Sequence, residues 1–87
     1  MHAVVAKVTI SDTEAAESQL REEVVPQVSQ IPGFVAGYWT RKGDTGLSMV
    51  VFESEDVANE MPDRLRSNLP TGVTLEDVEV REVVAHA

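Results

Sequence analysis

The chain has 87 residues, 43% of them hydrophobic and 25% charged, a composition that packs a core and excludes a disordered chain. Fifteen Asp and Glu against seven Lys and Arg give a net charge of −8; the basic residues are scattered (Lys7, Arg21, Arg41, Lys42, Arg64, Arg66, Arg81), so nucleic acid and anionic membrane surfaces are not expected partners. With no cysteine there is no disulfide, thiolate metal site, iron–sulfur cluster or cysteine nucleophile, and the expected location is a reducing cytoplasm.

The length predicts a single domain over residues 1–87. A chain this size buries somewhat over roughly 60% of its unfolded surface, so burial against a partner would add useful stability. The apolar run near the start, Ala3 to Ala6, is interrupted by Lys7 and is too short for a signal segment or a membrane span.

Residues 2–10 are rich in β-branched side chains and lack Gly and Pro, which predicts a strand. Val4, Ala6, Val8 and Ile10 share one face, and Ala3, Val5, Lys7 and Thr9 the other. Ser11-Asp12-Thr13-Glu14 has the spacing of a capping box, with Ser11 as the N-cap. The helix it opens is predicted to reach Ser29, with Ala16, Leu20, Val24 and Val28 as its buried stripe. Pro26 lies inside that pattern, lacks an amide donor and predicts a kink or restart.

Ile31-Pro32-Gly33 ends the helical segment. Phe34 to Lys42 reads as the second strand and Leu47 to Glu53 as the third, joined by a Gly43-Asp44-Thr45-Gly46 loop. By strict alternation Phe34, Ala36 and Tyr38 oppose Val35, Gly37 and Trp39. Ser54 is the next N-cap, with Glu55 and Asp56 in the first turn. Val57, Met61, Leu65 and Leu69 form a second apolar stripe, and Pro62 predicts a short or broken helix. After Leu69-Pro70-Thr71-Gly72, Val73 to about Ala85 reads as the last strand, with Val78, Val80 and Val84 on one face.

The order β-α-β-β-α-β, with right-handed crossovers, predicts an α+β ferredoxin-like domain: a four-stranded antiparallel sheet in the order 4-1-3-2 with both helices on one face. A solvated open face would alternate towards polar residues. Instead Leu47, Met49 and Val51 face one way and Val50 and Phe52 the other, so both faces call for burial. The expected cover for the open face is a second copy, giving a homodimer.

At Pro32-Gly33-Phe34-Val35-Ala36-Gly37-Tyr38-Trp39 the chain resembles the antibiotic biosynthesis monooxygenase-like proteins. The proline-bearing first helix, the passage Val51-Phe52-Glu53-Ser54-Glu55 and the long last strand are similar too, so the resemblance spans nearly the whole chain. It implies a dimeric α/β barrel with a site between sheet and helices. It also implies cofactor-independent oxidation of a hydrophobic aromatic substrate, with a non-catalytic ligand-binding or interaction module as the alternative. Haem-degrading members use a helix His as iron ligand. Here that region reads Asn59-Glu60-Met61, so no haem is expected, and no other cofactor or metal.

The candidate substrate-binding residues are Trp39, Tyr38, Asn59 and Phe52. Trp39 and Tyr38 are adjacent in a strand, so one faces the helices and the other the open sheet; each offers a stacking surface or simply fills space. Asn59 offers an amide to a substrate carbonyl. Phe52 stands where the resembled family often has Trp. His2 and His86 are the only histidines, and the antiparallel pairing of first and last strands predicts them to be neighbours. Two imidazoles do not complete a zinc site. Arg41 offers a charge to an acidic ligand. Glu76, Asp77, Glu79 and Glu82 fit an edge strand that resists pairing with other chains.

Overall fold

The computed structural model describes residues 1–87. The strands are β1 (His2–Ile10), β2 (Phe34–Lys42), β3 (Thr45–Phe52) and β4 (Val73–Glu82). The helical segments are α1 (Thr13–Gln19), a π-helical turn (Leu20–Val24), α2 (Val25–Ser29) and α3 (Glu55–Ser67). The strands form one antiparallel sheet in the order β2-β3-β1-β4, as the sequence predicts, with β2 and β4 at the edges. This is an α+β arrangement of ferredoxin-like kind. No helix is long and apolar enough to cross a membrane.

Capping and turn chemistry set the element ends, with two departures from expectation. The first helix is capped by Asp12, whose carboxylate accepts from Ala15 N at 3.1 Å. Ser11 is not the cap: its amide and hydroxyl both donate to Gly72 O, at 2.7 and 3.2 Å, and so tie the end of β1 to the start of β4. The β2–β3 hairpin turns on only two residues, Gly43 and Asp44. Gly43 has φ +63°, the left-handed value wanted at the first central position of such a tight turn. Thr45 and Gly46, expected in the loop, pair with Lys42 and Arg41 as the first residues of β3. Ser54 caps α3 by accepting from Val57 N at 3.4 Å.

The two prolines act differently. Ahead of Pro26 the helix widens into the π turn: Val25 N–H donates to Leu20 O, one residue further back than in an α-helix. The wider turn accommodates the proline ring, and α2 resumes at Val25. Pro62 does not break α3, which runs unbroken through it from Glu55 to Ser67. Met61 is buried and Val57 and Leu65 pack on the core, so tertiary burial outweighs the missing hydrogen bond.

Two register shifts alter the expected strand faces. Phe34 pairs with Phe52, but Ala36 already pairs with Val51, leaving Val35 as an extra, exposed residue. Such a bulge reverses the phase of alternation. Phe34 therefore lies on the helix side with Trp39, against strict alternation, and both pack on the core. In β4, Glu76 is the extra residue between Asp77, which pairs with Lys7, and Leu75, which pairs with Val8. Its carboxylate accepts from Thr9 Oγ1 at 2.9 Å. The last strand ends at Glu82 rather than near Ala85, and Val84 is 91% exposed instead of sharing a face with Val78 and Val80.

The solid core lies under α3, where Val4, Val50, Phe52, Ala58 and Met61 are buried together. Phe52 is fully buried and meets Phe34 edge to face, with ring centroids 6.2 Å apart. α1 and the π turn contribute nothing to this cluster. Of their expected buried stripe only Ala16 is buried, while Leu20, Val24 and Val28 are half-buried.

Candidate functional site

The half-buried stripe faces a cavity. On the helix side of the sheet, Val80, Val4, Val50 and Gly37 form one cross-strand row, and Phe52 follows Val50 two residues along β3. The next row runs Val78, Ala6, Ser48, Trp39, and the next Leu75, Val8, Gly46, Arg41. The valines of the first row, together with Phe52, fill the space beneath α3. The middle of the next two rows carries Ala6, Ser48 and Gly46, too small to reach α1 and the π turn. The result is a half-open cavity of about 340 Å³.

Ala6, Val8, Gly46 and Ser48 make its floor, and Ala16, Leu20 and Val24 its roof. Leu65, Leu69 and Val73 close one end, and Trp39 forms the wall at the β2 edge. Two glycines shape it. A Cβ on Gly46 would lie 2.8 Å from Val8 Cγ2, and one on Gly37 would lie 2.7 Å from Trp39 Cη2. The six-membered ring of Trp39 thus lies across the space that a side chain at Gly37 would take.

The charged groups of the cavity are Glu17 and Arg21 from the helix and Arg41 from β2. Arg41 Nε donates to Glu17 Oε1 at 2.9 Å, and Arg41 Nη1 donates to Gly43 O at 2.8 Å. Arg21 Nη2 stands 3.9 Å from Glu17 Oε2, an ion pair too long for a hydrogen bond. These side chains are partly solvated, so they form a polar rim to an otherwise apolar space.

Of Trp39, Tyr38, Asn59 and Phe52, only Trp39 lines the cavity. Tyr38 is 67% exposed on the opposite face, where it pairs with Met49. Phe52 is sealed in the core, and Asn59 is exposed on α3. The two histidines part company. His2 Nε2 lies 2.9 Å from Glu55 Oε2, while its buried Nδ1 has no hydrogen-bond partner. His86 lies in the exposed tail beyond β4. No three His, Cys, Asp or Glu side chains cluster with metal-binding geometry. Arg41, which the sequence offered for an acidic ligand, stands partly exposed beside the hairpin at the rim, where Glu17 and Arg21, not anticipated from sequence, join it. Their only sequence signal was the (i, i+4) spacing of Glu17 and Arg21 on the helix.

The open sheet face keeps its apolar character. Val35, Tyr38, Leu47 and Met49 are 44–67% exposed there, and Val5 and Val51 lie beside Met49 and Ala36 across the ladder. Lys7, Asp77 and Glu79 border the patch towards β4.

Neither a scan against protein-family models nor a search of curated proteins gives a match to this chain.

Proposed function

We propose that the chain binds a flat hydrophobic aromatic molecule in the cavity beside Trp39, as a homodimeric α/β-barrel protein of the antibiotic biosynthesis monooxygenase-like kind. The observation that carries this reading is the cavity itself. It is half-open, about 340 Å³, and leaves Leu20 and Val24 only half-buried, so a domain of marginal stability forgoes apolar burial to keep it. A domain with so little core has no packing reason to keep Ala6, Gly46 and Ser48 beneath Leu20 and Val24. The volume lies at the lower end of the range for small-molecule sites, about 300–1,000 Å³, which suits two or three fused rings.

Trp39 is the only tryptophan, so its fluorescence reports directly on the cavity. Titration with naphthoquinones and naphthols should give saturable quenching. Quenching no greater than that of free tryptophan, with no displaced amide resonances around the cavity, would overturn the reading.

The resemblance supports a further step, oxidation of the bound molecule by oxygen without a cofactor, in which the substrate supplies the electrons. Against it stands the placement of the polar candidates. Tyr38 and Asn59 lie outside the cavity, which favours binding without catalysis. Oxygen consumption with hydroquinones and naphthols, compared with a Trp39→Ala control, separates the two.

The homodimer forms through the open face. Val35, Tyr38, Leu47 and Met49 make a contiguous apolar patch on a chain of net charge −8, and a two-fold copy covers it with its own equivalent. Light scattering at tens of micromolar should give twice the chain mass, and Tyr38→Glu should give a monomer. A monomeric parent protein would end this part of the reading.

A further inference from the structure

We infer that the ligand of this cavity is an aromatic monoacid whose carboxylate sits at the rim between Arg41 and Arg21. The inference rests on the cavity being a ligand site and adds the chemical class of the ligand. Its basis is the local charge. Across the chain acidic residues outnumber basic ones fifteen to seven, yet the cavity is lined by two arginines and one glutamate. Every other lining side chain is uncharged.

Geometry makes the arginines available. Arg41 is held in place through Nε by Glu17 and through Nη1 by the Gly43 carbonyl, which leaves its Nη2 donors for a ligand. Arg21 stands at 3.9 Å from Glu17, and no hydrogen bond occupies its guanidinium in that pair. Glu17 therefore neutralises one positive charge of two. A cationic ligand is repelled by the remainder, and a neutral one gains little from it. A carboxylate accepts from the fixed guanidinium at the edge of the sheet while its rings lie under Leu20 and Val24 against Trp39. The apolar floor, with no polar group larger than Ser48, sets the orientation: rings inward and acid outward.

The test compares 2-naphthoate with the isosteric, neutral 2-naphthamide by calorimetric titration of the full chain at low ionic strength. The acid should bind about tenfold tighter than the amide, and the preference should shrink as salt is raised. Arg41→Gln should abolish the preference while leaving the amide's affinity unchanged. Glu17→Gln should strengthen acid binding about threefold, because it removes the competing carboxylate. A thermal melt of each variant identifies any that fails to fold, and Arg21→Gln, on an exposed helix surface, serves as a second variant with a smaller loss. Equal binding of acid and amide, or an acid preference that survives Arg41→Gln, overturns the inference while the cavity remains a ligand site. Failure of both compounds to bind the parent chain overturns both readings.

Discussion

Replacing Gly37 with Ala tests the packing that shapes the cavity wall. Gly37, in β2, pairs with Val50 of β3 and lacks the positive φ that an alanine would resist. The added Cβ would lie 2.7 Å from Cη2 and 2.8 Å from Cζ3 of Trp39. To reach ordinary contact at 3.4 Å the indole must withdraw by roughly 0.7 Å. Two effects oppose one another. Alanine restricts the unfolded chain and stabilises by about 0.4–1 kcal/mol. Overpacking costs about 1–3 kcal/mol. The net expectation is a loss of about 1–2 kcal/mol, which in a domain of this size lowers Tm by roughly 5–15 °C. Thermal melts followed by circular dichroism measure the loss, and Trp39 emission should shift as the ring moves. The control is the same substitution in a Trp39→Phe background, where the outer indole atoms are gone. There Gly37→Ala should be neutral or stabilising by about 0.4–1 kcal/mol. An equal loss in both backgrounds, or no loss with Trp39 present, would refute the placement of the indole over Gly37.

Other substitutions address separate contacts. Phe52→Ala removes a fully buried ring and should cost about 3–5 kcal/mol in a denaturant melt; because Phe52 does not line the cavity, ligand affinity of the folded fraction should hold. Asp12→Ala should lose about 1 kcal/mol by removing the helix cap, and Ser11→Ala should lose less, since its hydroxyl is only a second, longer donor to a Gly72 carbonyl that the Ser11 amide already satisfies; the reverse order in a denaturant melt would restore Ser11 as the cap. Pro62→Ala restores an amide donor opposite the Ala58 carbonyl within α3 and should stabilise by about 1–2 kcal/mol, the proline penalty less the entropy it removes from the unfolded chain; a fall in Tm would mean that the ring's packing outweighs the missing bond.

Much of the architecture is written in short-range pattern. β-branched runs, capping residues ahead of α1 and α3 (Asp12 and Ser54), and Gly43-Asp44 between two strand-forming stretches determine where strands, helices and the hairpin fall. With right-handed crossovers they determine the strand order as well. Adjacency of Tyr38 and Trp39 already required them to face opposite sides, as they do. An apolar open face was legible for the same reason, because Leu47, Met49 and Val51 recur at every second residue.

The candidate site depended on what pattern cannot carry. Alternation is a local rule, whereas the bulges at Val35 and Glu76 are decided by how β2 meets β3 and β1 meets β4, so the side on which Phe34 lies could not be counted from Trp39 along one strand. The cavity is a difference of volumes. Ala6, Ser48 and Gly46 are small, but only the ladder sets them in adjoining rows, and only the π turn holds Leu20 and Val24 above them. Glu17 and Arg41 are twenty-four positions apart and meet because α1 crosses the sheet near the end of β2. Sequence by itself determined the elements, their order and the demand for burial on two faces. Tertiary structure alone decided which face is filled, where it is left hollow and which charges stand at its rim, because those depend on contacts between residues far apart in the chain.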